Sequence, residues 1–170
     1  MSEILKLVLV DDHAVVREGY RRLLERRANL RIVGEAGTAA EAYRIVKELA
    51  PDVTVLDLSL PDMGGIELIR RLVARDKDAR ILAFSMHQEP VFAAQALRAG
   101  ALGYVTKSCA PDLLIKAVYQ VAARQRVISP DIAPELAFAL LEGEDSLARD
   151  LAPREFEILR LVLSGRDMKD

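Results

Sequence analysis

The chain has 170 residues, 51% of them hydrophobic, which is enough for a core in one typical domain and part of a second. A net charge of −2 does not indicate nucleic-acid binding, and the single cysteine, Cys109, excludes an internal disulfide and a cysteine cluster for zinc. The longest apolar run has six residues, 136–141, against the roughly 18 needed to cross a bilayer. With no secretory signal recognised at its start, we expect a cytoplasmic protein without a membrane partner.

Short apolar runs alternate with segments of helical periodicity over the first three quarters of the chain. The runs occupy residues 5–10, 30–36, 53–56, 81–84 and 103–106. Helical segments follow them, one capped by Thr38, one beginning near Gly65 and two opened by Pro90 and Pro111. This alternation predicts an α/β fold, a doubly wound, flavodoxin-like parallel sheet of five strands in the order 2-1-3-4-5, ending near residue 123.

Polar residues follow four of the five predicted strands. They are Asp11 and Asp12, Asp57, Ser85, and Lys107. In the predicted order the carboxyl ends of these strands are neighbours, so the side chains are expected at one rim of the sheet. Three carboxylates there repel one another unless a hard cation such as Mg²⁺ binds them. A carboxylate nucleophile, a metal, an amine and a hydroxyl are the parts needed to accept a phosphoryl group on Asp57.

With this ordered set, residues 4–123 resemble the receiver domain of bacterial two-component response regulators. The match extends to Pro61 and Gly65 after the third strand, and to Tyr104 before the lysine. Apart from the resemblance, Gly64 and Gly65 are interpreted as turn residues.

The resemblance also implies a role for each residue of the rim. Asp57 would be the phosphoacceptor, and Asp12 a direct Mg²⁺ ligand supported by Asp11. The metal would be bound by Asp57 and by the backbone carbonyl of Ser59 as well. Lys107 would bind the phosphoryl group, while Ser85 and Tyr104 would form the switch pair that rearranges after phosphorylation.

The last part of the chain differs in character. Residues 124–148 are interpreted as a linker with one short helix over 132–141. Residues 149–170 resemble the opening of an all-α helix-turn-helix output domain of the LuxR/NarL type, through Leu151, Pro153 to Glu155, Ile158, Leu159 and Gly165. Ala152 stands where that family usually has a capping Thr, a loss of about 1 kcal/mol. The helix that would enter the major groove is absent, so we expect no specific DNA binding by these 170 residues.

The resemblance implies a response regulator that accepts its phosphoryl group from a sensor histidine kinase. It also implies an output on DNA through a full-length domain, and it allows a homodimer on phosphorylation. We expect no enzymatic turnover beyond the chain's own phosphoryl transfer and autodephosphorylation. Two alternatives stay open, a phosphotransfer or interaction module without DNA output, and a haloacid-dehalogenase-type phosphatase. Those enzymes usually carry a second Asp where this chain has Ser59.

Two histidines and the arginines of the first helix are the remaining candidates for a functional role. His13 and His87 are predicted to take no part in metal binding, because a hard oxygen site prefers Mg²⁺. His87 is a candidate for tuning the lifetime of the phosphoaspartate through its effect on water. The arginines of the first helix are interpreted as a solvated face, with pairing to a kinase or a second subunit as the alternative. They are Arg17, Arg21, Arg22, Arg26 and Arg27.

Overall fold

The computed structural model describes residues 3–141. The strands are β1 (Leu5–Val10), β2 (Leu30–Ala36), β3 (Val53–Leu56), β4 (Ile81–Ser85), β5 (Gly103–Thr106) and β6 (Val127–Ile128). The helices are α1 (Ala14–Leu24), α2 (Ala39–Leu49), α3 (Gly65–Arg75), α4 (Pro90–Ala99), α5 (Pro111–Ala122) and α6 (Ala133–Leu141). All the strand pairs are parallel, and the sheet has the order β2-β1-β3-β4-β5-β6.

The parallel α/β fold and the order of the first five strands are confirmed. Each of these strands is a short apolar run whose side chains alternate between the two faces of the sheet, so both faces need a covering layer. One face packs in a core cluster with α2, α3, α4 and α6. The other face packs in a second cluster with α1 and α5. The sheet is therefore buried between two layers of helices.

Local signals in the sequence account for the ends of α2. The hydroxyl of Thr38 accepts the N–H of Glu41 at 3.2 Å, as expected of an N-cap. The helix ends at Leu49 and is followed by Ala50, whose φ of 45° lies in the left-handed region, directly before Pro51. Both ends therefore lie where capping and proline chemistry predict them.

The prediction of five strands is wrong, because a sixth strand lies beyond β5. Val127 and Ile128 form β6, which pairs with Gly103 and Tyr104 of β5. Two residues are too few to show strand periodicity. Their pairing depends instead on the unsatisfied backbone edge that β5 would otherwise expose.

The segment interpreted as a linker also contributes to the core. Ile132, directly before α6, and Leu136, within it, are at most 1% exposed and pack in the same cluster as α4. The predicted short helix is therefore present, but it is docked on the sheet. The division into units at residues 123 and 148 stays a prediction, and the predicted helix-turn-helix segment, 149–170, lies outside the described residues. Within residues 3–141, no helix is long and apolar enough to span a membrane.

Replacement of Leu136 by Ala tests whether α6 is docked on the sheet. Leu136 is fully buried, so Leu136→Ala should lower the free energy of unfolding by about 2–4 kcal/mol in urea titrations. Phe138 on the same helix is 62% exposed, and Phe138→Ala should change stability by less than about 0.5 kcal/mol. Equal effects of the two substitutions would contradict the docking of α6.

Candidate functional site

The carboxyl ends of β1, β3 and β5 bring Asp11, Asp57 and Lys107 into contact. The ammonium of Lys107 donates to Asp11 Oδ2 at 2.6 Å and to Asp57 Oδ2 at 2.9 Å. All three side chains are at most 5% exposed. The structure thus unites three of the predicted site residues in one buried ion-pair cluster.

The two carboxylates determine the charge of Lys107. Burial by itself would lower the pKa of this amine, but hydrogen bonds and charges from Asp11 and Asp57 outweigh burial and raise the pKa. The ammonium also lies 5.8 Å from the centroid of the Phe84 ring, whose face attracts a cation. Lys107 is therefore positively charged at neutral pH.

Asp12 and His13 complete an acidic cluster at the mouth of the site. Ligand atoms of Asp11, Asp12, His13 and Asp57 all lie within 4.8 Å of one another. The side chain of Asp12 is 30% exposed, so the cluster opens to solvent on that side. Grouped carboxylate oxygens with access to water suit a hard divalent cation. His13 Nδ1 is 3.0 Å from Asp12 Oδ1, and its predicted exclusion from metal binding stays a prediction.

The loop after β3 holds Asp57 in place. Asp57 Oδ1 accepts the backbone N–H of Ser59 at 3.0 Å, which closes a tight turn. Farther along the loop, the Asp62 carboxylate accepts the N–H groups of Ala39 at 2.8 Å and Ala40 at 2.9 Å. These backbone hydrogen bonds lower the pKa of Asp62 and anchor the loop on the start of α2. The predicted role of the Ser59 carbonyl as a metal ligand stays a prediction.

Gly65 allows α3 to begin directly behind Asp57. Its N–H donates to the carbonyl of Leu58 at 2.8 Å. A Cβ at position 65 would lie 2.5 Å from Leu58 Cα and 2.6 Å from the carbonyl oxygen of Asp57, closer than atoms can approach. The interpretation as a turn residue suits Gly64, whose φ is +81°, but Gly65 is required by close backbone approach.

The predicted switch residues, Ser85 and Tyr104, both hydrogen-bond to the backbone of His87. The N–H of His87 donates to Ser85 Oγ at 3.1 Å, and the carbonyl of His87 accepts the Tyr104 hydroxyl at 2.6 Å. Ser85 and Tyr104 are fully buried, and burial raises the pKa of Tyr104 to about 12. The phenol is therefore a hydrogen-bond donor at neutral pH.

The ring of His87 lies between the loops after β3 and β4. Its Nε2 is 3.2 Å from the hydroxyl of Ser59, and the ring stacks on Phe92 with 4.1 Å between centroids. The imidazole therefore connects the loop that follows Asp57 with the first turn of α4. Periodicity gave no sign of these contacts, because they join loops that are distant in the chain.

Arg17 is a residue of the site that the interpretation as a solvated face missed. Its guanidinium donates to the backbone carbonyl of Asp11 at 2.5 Å and to Glu35 of β2 at 3.1 Å. Arg21 donates to the same glutamate at 2.9 Å. These contacts fix the turn that carries the two aspartates. Arg22 fits the predicted solvated face, since it is 80% exposed and pairs with Glu18 of its own helix.

Replacement of Gly65 tests the close approach behind Asp57. Because a methyl group would collide with backbone on both sides, Gly65→Ala should destabilise the protein by about 2 kcal/mol or more. The matched control is Gly19 of α1, where a Cβ would meet nothing within 4 Å. Gly19→Ala should stabilise the helix by up to about 1 kcal/mol. Urea unfolding of both variants measures these changes, and a neutral Gly65→Ala would contradict the packing.

Comparisons with known proteins agree with this architecture. A sequence model of the response regulator receiver domain matches residues 7–119. The chain is 34% identical to the response regulator UvrY of Escherichia coli over 169 residues, which cover 98% of the chain and 78% of UvrY.

Two solved structures show the same fold. A crystal structure of a LuxR-family two-component response regulator from Aurantimonas sp. is 50% identical, with a TM-score of 0.79 over 82% of this chain and 99% of that one. The RcsB response regulator of Salmonella typhimurium, in a structure concerned with DNA interaction, is 26% identical, with a TM-score of 0.75 over 96% of this chain and 79% of RcsB. The chain therefore belongs to the two-component response regulators, contains their receiver domain and is related to regulators of the LuxR family.

Proposed function

We propose that Asp57 accepts a phosphoryl group from the phosphohistidine of a sensor kinase, and that this modification switches a LuxR-type output domain on DNA. The observation that supports this most is the Lys107 ammonium held between the Asp11 and Asp57 carboxylates. A buried cation beside a buried carboxylate is suited to receive negative phosphoryl oxygens. In this proposal the protein acts in the cytoplasm and turns over no other substrate.

The transfer of the phosphoryl group from phosphohistidine to Asp57 needs no reactant other than a proton. An oxygen of Asp57 attacks phosphorus while the P–N bond of the phosphohistidine breaks, and the bonding electron pair stays on the imidazole nitrogen, which then takes up a proton. Lys107 holds the phosphoryl oxygens and stays protonated throughout. The hydroxyl of Ser85, at the end of the neighbouring strand β4, donates a hydrogen bond to one of those oxygens.

The acidic cluster is the proposed binding site for Mg²⁺. Asp11, Asp12, Asp57 and the carbonyl of Ser59 would hold the ion, with Asp12 as the most exposed of the three carboxylates. A cation bound there lowers the repulsion among the carboxylates and neutralises charge on the transferring group. The grouping of three carboxylates at the ends of two adjacent strands is the feature that fits such an ion.

The same site would drive the conformational switch. The acyl phosphate carries about two negative charges near neutral pH, so it attracts the Ser85 hydroxyl and the Lys107 ammonium. The Ser85 hydroxyl accepts the N–H of His87, whose carbonyl accepts the hydroxyl of Tyr104. Movement of Ser85 therefore alters the hydrogen bonds that hold Tyr104 and shifts α4, β5 and α5 between two existing arrangements. In the full-length protein this shift would release the output domain or promote a homodimer on DNA.

Transfer of label from acetyl phosphate tests the phosphoacceptor. With Mg²⁺ present, the wild-type protein should become labelled, whereas Asp57→Asn should take up no label because the nucleophilic carboxylate is gone. Chelation of the metal should abolish labelling of the wild type. Asp78→Asn is the matched control, since Asp78 is 80% exposed and precedes β4 at the opposite edge of the sheet. Full labelling of Asp57→Asn would overturn the assignment.

Decay of the labelled protein tests the role of His87. Because the imidazole contacts Ser59 and stacks on Phe92, His87→Ala should open the site to water and speed dephosphorylation several-fold. Met86→Ala serves as the control, since Met86 is 70% exposed in the same loop. Unchanged decay in His87→Ala would show that this ring does not limit the access of water.

A further inference from the structure

The two residues that flank Lys107 share one carboxylate. The hydroxyl of Thr106 donates to Asp131 Oδ2, and the hydroxyl of Ser108 donates to the same oxygen at 3.2 Å. Asp131 belongs to the turn between β6 and α6, outside the residues that match the receiver family. The segment after the receiver match therefore contacts the chain on both sides of the lysine.

A second residue of that segment strengthens the connection. Ser129 accepts the N–H of Thr106 on its hydroxyl at 3.2 Å and donates its own N–H to the carbonyl of Tyr104 at 3.0 Å. Thr106 and Ser129 are fully buried. Undocking of the segment would leave their polar groups without partners unless water entered, which is costly for buried donors and acceptors.

The same network reaches the loop after β4. The side-chain amide of Gln88 donates to Ser108 Oγ at 2.8 Å, and the N–H of Lys107 donates to the carbonyl of Ser85 at 2.8 Å. The loop that carries Lys107 is thus held on one side by β4 and on the other by Asp131. Its position depends on both.

The carboxylate of Asp131 is suited to hold the loop that carries Lys107. Partial burial opposes its ionisation, but hydrogen bonds from Thr106, Ser129 and Ser108 outweigh that effect and lower its pKa. Its place in the fold is fixed by Ile132 and Leu136, which bury α6 against the sheet and α4. A charged acceptor on an anchored turn restricts the hydroxyls that it binds.

We propose that Asp131 is a positioning residue for Lys107, and that it links phosphorylation at Asp57 to docking of the β6–α6 segment, residues 127–141. This inference rests on the proposed function of the site. If the phosphorylated site needs the lysine loop in its docked position, phosphorylation strengthens docking and loss of docking weakens phosphoryl binding, because such coupling is reciprocal. The segment that leads toward the output domain would then report directly on the charge at Asp57.

Binding of beryllofluoride, a stable substitute for the phosphoryl group, tests the first half of the proposal. Calorimetric titration in the presence of Mg²⁺ should show about tenfold weaker beryllofluoride binding by Asp131→Ala than by the wild type. Asp131→Asn keeps one acceptor oxygen and should lie between them. Affinity for Mg²⁺ alone should not fall, since Asp131 is not among the clustered carboxylates and a displaced Lys107 would compete less with the cation, whereas a purely structural defect would lower both affinities.

Hydrogen exchange tests the second half. Beryllofluoride with Mg²⁺ should slow exchange of backbone amides in residues 127–141 of the wild type and of the control Glu135→Gln, which alters an exposed acid on α6. The same ligand should give little protection there in Asp131→Ala, even at saturation. Where Asp131→Ala fails to fold, Asp131→Asn decides both measurements.

The outcomes separate the two proposals. Failure of the wild type to bind beryllofluoride would overturn the proposed function and this inference with it. If the wild type binds beryllofluoride normally and both Asp131 variants bind it with the affinity of the wild type, the positioning role alone is overturned. Normal binding that leaves exchange in residues 127–141 unchanged would overturn the link to docking.

Discussion

The placement of one ammonium group between two buried carboxylates is the constraint on which the rest of the site depends. Lys107 contacts Asp11 and Asp57, and all three are almost entirely removed from solvent. Burial of a charge is costly unless a partner and hydrogen bonds compensate for it, and loss of one partner leaves the others unsatisfied. The three groups therefore stabilise one another as a unit, and a cation or a phosphoryl group that enters the site must redistribute these contacts.

The topology of the sheet is what makes this unit possible. The order β2-β1-β3 places the ends of β1 and β3 side by side, so aspartates 46 positions apart in the sequence share one edge. The end of β5, two strands farther along, is spanned by the long side chain of Lys107. Close packing behind Asp57 by Gly65 and the hydrogen bonds of Arg17 to the turn after β1 hold the carboxylates at this edge. Strand order brings the residues together, and small local contacts orient them.

Much of this arrangement follows from periodicity, and the remainder depends on contacts that periodicity does not describe. The apolar runs, the cap at Thr38 and the polar residues at strand ends predict five strands, their order and the meeting of Asp11, Asp57 and Lys107. The two-residue strand β6 carries no period of its own and forms only because β5 offers a free edge. Arg17 shows a similar limit, since the helical pattern indicates which face it occupies but not that a strand-end carbonyl lies opposite.

The buried polar side chains are concentrated at the edge of the sheet where the proposed phosphorylation would take place. Apart from Thr54, the polar residues that are buried as a whole in residues 3–141 lie at the carboxyl ends of strands or in the turns that follow: Asp11, Asp57, Ser85, Thr106 and Ser129. The buried side chain of Lys107 lies at the same edge. Elsewhere the core is mostly aliphatic and close-packed, so it resists gradual deformation. Buried hydroxyls differ in this respect, because each can exchange one donor or acceptor for another while remaining satisfied. Under the proposed function, a new charge at Asp57 would therefore select between two complete hydrogen-bond patterns along this edge while the aliphatic layers stay intact.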